Sequence, residues 1–198
     1  MRRFNPGPGL QIFFMKKGTF TRIIAESMRE IVFGLEDSLV STLGALTGIA
    51  IGARSTYIVI LSGLVLIAAE SMSMAAGSYL SSKSASETEK LLHEVDGRKY
   101  DHNANPIRAG IVMGVLYFIG GFVPLLSYFF FPISKAIVVS IPLTAVCLFL
   151  LGVWSSKFTK RSAFRSGIEM MVISLAAALV GYVIGWAVSM YFGVEVAK

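Results

Sequence analysis

The chain has 198 residues, 55% of them hydrophobic and only 15% charged, with a mean hydropathy of +0.69. That composition excludes an ordinary soluble domain and reads as a small polytopic membrane protein. A net charge of +6 would suit nucleic acid, yet the basic residues cluster by segment in a way that membrane topology explains, and the lone Cys147 excludes a disulfide framework or a metal site of paired thiolates.

Residues 1–30 form a basic segment with Arg2, Arg3, Lys16, Lys17, Arg22 and Arg29. Its apolar stretch near residues 11–15 is too short for the core of a signal peptide. Residues 20–30 are amphipathic and suit the inner membrane surface. Crossing about 30 Å of hydrocarbon takes about 20 helical residues, and five segments qualify: residues 31–53, 56–80, 107–130, 136–154 and 167–192.

The expected fold is an all-α membrane protein with five transmembrane helices, a transmembrane domain over residues 31–198 and one sizeable polar loop over residues 81–105. Lysines and arginines concentrate before the first span, between the second and third, and between the fourth and fifth, whereas Arg54, Lys135 and Lys198 fall on the other side. The positive-inside rule then places the N-terminus in the cytoplasm and the C-terminus outside or in a lumen. Within the polar loop, Glu87, Glu89, Lys90 and Glu94 fit a helical extension of the second span, which residues 103–106 end. Pro124 and Pro142 predict kinks in the third and fourth spans.

Small residues stripe the helices. Gly44, Gly48 and Gly52 make two consecutive G-x-x-x-G steps, and moving back along the same face reaches Ser41 and then Asp37. Similar steps occur at Gly110 and Gly114, and at Gly181, Gly185 and Ser189. These glycines are candidates for close helix packing or a dimer contact.

The chemically informative residues are acids inside apolar runs. A charged acid at mid-membrane costs about 2.5 to 3.5 kcal/mol on insertion scales, so each needs a partner or a function. Asp37 lies on the glycine-lined face, and Glu36 is turned about 100° away by the helical period. Glu36 can reach the inner interface or a basic side chain such as Arg29. In the second span, Glu70 is followed by Met72, Ser73 and Met74. An antiparallel hairpin turning near Arg54 sets Asp37 level with Met72, Glu70 near Leu39 and Met74 near Leu35.

Carboxylates beside thioethers suit a borderline metal such as Fe²⁺, Mn²⁺ or Co²⁺, whereas Mg²⁺ and Ca²⁺ want oxygen alone. A carboxylate in low dielectric also takes up a proton, because burial disfavours the charged form. Asp37, Glu70, Met74 and Met72 are therefore the candidate metal ligands. Glu36, Ser73, Glu87 and Glu94 form a second tier for metal or protons. His93 and His102 lack ligand spacing to one another, and Glu169 fits an interfacial position.

These residues resemble the vacuolar iron transporter family of divalent-metal and proton exchangers. The matching text is FGLEDSLVSTLGALTGIAIGA in the first span, SMSMAAGSYLSSKSASE leaving the second, GGFVPLLSY in the third and GYVIG in the fifth. The resemblance implies a homodimer of five-helix protomers with the metal path between the first helices. It matches Asp37 to the family's aspartate, and Ser73 and Met74 to its S-M motif. Family members often carry an acid eight residues before that methionine; here Leu66 occupies the position and Glu70 stands one turn nearer. The best-understood members also insert a glutamate-rich metal-binding domain after the second span, for which this loop is too short.

The expected function is therefore proton-coupled export of Fe²⁺, or of Mn²⁺, from the cytoplasm, with no permanent cofactor and no nucleic-acid partner. The alternatives are a passive metal channel, or a non-transporting membrane oligomer whose acids are structural. Hydrolytic catalysis is disfavoured because no histidine, lysine or activated nucleophile accompanies the acids inside the membrane. The membrane would be the plasma membrane in a prokaryote, and a vacuolar or other organelle membrane in a eukaryote.

Overall fold

The computed structural model describes residues 27–96, 105–159 and 162–192. Those residues form five helices: α1 Met28–Ala53, α2 Thr56–Asp96, α3 Pro106–Phe130, α4 Ile133–Thr159 and α5 Ala163–Phe192. The basic segment before residue 27, His102, and the side chains of His93 and Glu94 lie outside the described residues.

Local chemistry sets the helix ends. Arg54 closes α1 in the left-handed conformation, with φ of 50° and its N–H donating to the Ala50 carbonyl at 3.3 Å. Helix α2 begins two residues later, so the hairpin turns where expected. At the start of α3, Asn105 accepts from the Arg108 N–H at 3.1 Å and Pro106 fills the first turn, where a missing N–H is harmless. Pro124 and Pro142 lie inside α3 and α4. The Pro124 carbonyl accepts from Ser127 and, across to α4, from Ser140 at 2.9 Å.

Helix α2 has 41 residues, about 60 Å at 1.5 Å per residue and roughly twice the hydrocarbon thickness. Its second half, with Glu87 and Lys90, is the expected helical extension. Among the described residues four helices are long and apolar enough to cross a membrane: α2, α3, α4 and α5. Their outer sides expose large apolar residues such as Val65, Ile111, Leu150 and Ile184, the surface a bilayer covers.

Helix α1 is the less apolar one, carrying Glu36, Asp37 and the hydroxyls of Ser38, Ser41, Thr42 and Thr47. Its place in the bundle explains the difference. It contacts all four other helices, α5 and α3 most extensively, and among its residues only Arg29 and Phe33 are exposed. The hydroxyls of Ser38, Thr42 and Thr47 are thereby buried, whereas Glu36, Asp37 and Ser41 are only partly covered. One apolar core, with Leu46, Val59, Ile67, Leu125 and Tyr128, lies toward the Arg54 end, and a second joins Leu39 to Leu148 and Leu151 of α4.

Within the chain, the glycine stripe of α1 meets α5. A Cβ at Gly48 would sit 2.9 Å from the Gly181 carbonyl oxygen, and one at Gly181 would collide with the Gly44 carbonyl. Only glycine permits that approach. The stripe's partner is hence the matching stripe Gly181 and Gly185, which sequence spacing identifies as a packing face without saying what it packs on.

Candidate functional site

The site is built where α1, α2 and α3 meet. Ser41 projects from α1, Glu70 from α2 and Tyr117 from α3, and their three polar groups form a triangle of close oxygen contacts. Glu70 Oε2 accepts from Ser41 Oγ at 3.2 Å and from the Tyr117 hydroxyl, while Ser41 Oγ and Tyr117 Oη are 2.7 Å apart. Tyr117 is 1% exposed. Both hydroxyl contacts use one carboxylate oxygen, which leaves the lone pairs of Oε1 for a cation or a proton. Hydroxyl donors also offset much of the cost of holding an acid inside a bundle.

Asp37 lies on α1 one turn before Ser41, half-buried and within electrostatic range of Glu70. The hairpin register set Glu70 near Leu39, and the observed partner, Ser41, is two residues further along. Asp37 is thus one helical turn from the contact between Ser41 and Glu70, close enough for the two acids to influence one another. Glu36 turns the other way, with Asp37 and Glu169 of α5 as its charged neighbours. The basic partner suggested for it, Arg29, instead pairs with Glu30 at 3.6 Å. Arg29 and Glu36 are seven residues apart, about 10.5 Å along the helix axis.

The remaining predicted ligands separate. Met74 is half-buried and faces a chamber among α1, α2 and α3, whereas Met72 is 73% exposed and Ser73 is also exposed. Two residues along a helix rotate a side chain by about 200°, so Met72 is level with the acids yet points outward from this chain. Glu87 is exposed on the α2 extension. Among the described residues no group of three or more His, Cys, Asp or Glu side chains is close enough to hold a metal, so one chain supplies two acids to the layer and not a closed cage.

An apolar groove of about 830 Å³ runs between α1 and α5, lined by Ser41, Gly44, Gly48 and, opposite, Gly181 and Gly185. Ser41 is thus shared: its hydroxyl touches Glu70, and its helix face borders the groove.

A profile of the VIT family matches residues 28–101 and 91–186. This chain belongs to the VIT family. An uncharacterised protein of Methanocaldococcus jannaschii is 31% identical over 167 residues, covering 79% of this chain and 87% of its own. Vacuolar iron transporter 1 of Eucalyptus grandis is 24% identical over 220 residues, covering 84% of this chain and 88% of its own. Vacuolar iron transporter 1 of Arabidopsis thaliana is 23% identical over 210 residues, covering 79% and 84%.

The VIT-family match contains every residue of the triangle together with Asp37 and Met74. Sequence reasoning missed two members, Ser41 as a hydrogen-bonding group and Tyr117 altogether. The available signal was weak: a tyrosine inside an apolar run needs a partner for its hydroxyl. Nothing in the periodicity of α3 says that this partner is an acid on α2.

Proposed function

We propose that this chain exchanges divalent transition-metal ions for protons across a membrane, with Fe²⁺ as the main cargo and Mn²⁺ as its close competitor, moving metal from the cytoplasm outward or into a lumen. The observation that carries the reading is the Asp37 and Glu70 pair in mid-bundle, with Glu70 anchored through one oxygen by Ser41 and Tyr117. The plant relatives named vacuolar iron transporters support metal as the cargo.

In this reading α1 is a fifth span sheltered by the other four, the N-terminus is cytoplasmic, and the protein works as a homodimer. A second copy along the groove of α1 and α5 would bring a second Asp37 and Glu70 to the site, which suits an ion that needs more ligands than one chain presents. Metal arriving from the cytoplasm passes Met74 and exchanges waters for the carboxylates. Protons arriving from the far side neutralise those carboxylates and release the ion, because a protonated acid is a poor ligand. The protein keeps no resident cofactor and performs no covalent chemistry.

Proteoliposomes test this. Fe²⁺ uptake that rises with an opposing proton gradient, and falls at least tenfold in Asp37→Asn, is the expected result. Uptake indifferent to both would contradict it.

A further inference from the structure

Helix α3 is anchored in both halves and interrupted between them, a pattern that the exchange reading does not use. Its first half lies tight on α2. A Cβ at Gly110 would sit 2.8 Å from the Ala75 carbonyl oxygen, one at Gly114 would sit 2.8 Å from the Ala75 Cβ, and Tyr117 reaches Glu70. The second half is held elsewhere: Ser140 of α4 donates to the Pro124 carbonyl at 2.9 Å, and Leu125 and Tyr128 belong to the apolar core with Leu46, Val59 and Ala136.

Between these anchors the backbone ladder is broken. Pro124 has no N–H, so the Gly120 carbonyl, four residues earlier, lacks the donor that an α-helix would supply. Gly120 and Gly121 weaken the helix further, because glycine gives up more backbone freedom than alanine. Other helices press on both: a Cβ at Gly120 would collide with the Ser38 hydroxyl, and one at Gly121 would sit 2.7 Å from Ile67 Cγ1 and 3.2 Å from Thr42 Oγ1.

Two hydroxyls beside the break are unused. Thr42 of α1 and Thr144 of α4 are fully buried, and neither Oγ1 has a hydrogen-bond partner. The level of Thr144 follows from topology. Helices α3 and α4 run antiparallel through the turn at residues 131–132, so with Ser140 at Pro124, Thr144 comes level with Gly120 one turn away. A buried hydroxyl without a partner therefore stands level with a carbonyl that proline deprives of its helical donor. Buried polar atoms left unpaired cost stability and are uncommon in folded proteins.

We propose that α3 hinges at Gly120–Pro124 between two packings, and that in the second the Thr144 hydroxyl donates to the Gly120 carbonyl, repeating one turn away the bond that Ser140 makes to Pro124. The inference rests on the transport reading for what the hinge serves, but not for the hinge itself. Tyr117 lies three residues before Gly120, so bending there moves the hydroxyl that grips Glu70 against the half of α3 fixed to α4. A change of access to the acids is thereby linked to the grip on one of them.

Substitutions at Thr144 and Pro124 in the full chain test this. Thr144→Val keeps the shape and deletes an unpaired buried hydroxyl, so the melting temperature in detergent should rise by about 2 to 4 °C. Fe²⁺ turnover in proteoliposomes should nevertheless fall at least tenfold, with KM within twofold. Thr144→Ser keeps the hydroxyl and should turn over within twofold of the parent, whereas Pro124→Ala returns an N–H to the Gly120 carbonyl and should slow turnover as Thr144→Val does. Hydrogen exchange read by mass spectrometry reports the hinge without transport. Amides of residues 118–123 should exchange at least tenfold faster than those of residues 109–114 in the parent, and Thr144→Val should remove most of that difference. Unchanged exchange in Thr144→Val, or a melting temperature that falls, overturns the hinge. Parental turnover in Thr144→Val overturns its link to transport. Absence of Fe²⁺ flux in the parent, with the exchange pattern as expected, would count against the transport reading alone.

Discussion

Tyr117 on α3 donates its hydroxyl to Oε2 of Glu70 on α2, so the acid of the second helix is held by a residue 47 positions away in the chain. That contact joins two helices which pack extensively on one another, and Ser41 ties the pair to the central helix. Removing the phenolic hydroxyl leaves Glu70 with Ser41 as its described donor. Tyr117→Phe should therefore lower stability by about 1 to 3 kcal/mol, seen as a drop in melting temperature in detergent, and should cut Fe²⁺ uptake roughly tenfold by loosening the carboxylate. Ser41→Ala should do the same more mildly. Uptake at the parental rate in Tyr117→Phe would show that the contact only supports the fold.

Charge and shape at position 70 separate in two variants. Glu70→Gln keeps an oxygen to accept from Tyr117 and Ser41, so its melting temperature should stay near the parent while metal uptake falls by about tenfold or more. Glu70→Leu removes the acceptor as well and should cost about 1 to 3 kcal/mol of stability. Equal melting temperatures for the two would mean that the triangle contributes nothing to the fold.

Close approach of α1 and α5 depends on absent side chains. With a Cβ at Gly48 only 2.9 Å from the Gly181 carbonyl, Gly48→Leu should force the helices apart and destabilise by at least about 1 to 3 kcal/mol. Gly77→Ala, where added atoms meet open space, should change stability by no more than about 1 kcal/mol. Thermal melts of both in one detergent make the comparison.

The proposed five-span topology predicts which sites a membrane-impermeant maleimide reaches. In a Cys147→Ala background, Ser55→Cys at the turn between α1 and α2 should label from outside intact cells or vesicles, and Ser84→Cys on the α2 extension only after permeabilisation. Labelling of both from the same side would remove α1 as a span.

Much of this architecture is legible in the sequence because its determinants are local. Apolar run lengths, the turn at Arg54 and the Asn105 and Pro106 start of α3 all depend on neighbours a few residues apart. The pairing of Asp37 with Glu70 was also within reach, since a short hairpin fixes which residues stand level. Facing is harder. Met72 stands near the right level and points outward, because level comes from hairpin register and facing from rotation about the axis. Long-range choices were not legible: that the glycine stripe of α1 meets α5, that Arg29 goes to Glu30, and that Tyr117 finds Glu70. Each depends on how helices distant in sequence are arranged, which periodicity within one helix does not encode.

Exchange of metal for protons at Asp37 and Glu70 is the step on which the proposed function rests. Its most direct test records Fe²⁺ uptake and lumenal pH together in proteoliposomes loaded with a pH-sensitive dye, for the parent and for Asp37→Asn. Uptake of Fe²⁺ should be accompanied by proton movement in the opposite direction, dissipating the gradient with an ionophore should slow uptake, and both signals should vanish together in Asp37→Asn. Fe²⁺ uptake without proton movement, or an Asp37→Asn variant that retains both signals, would contradict it.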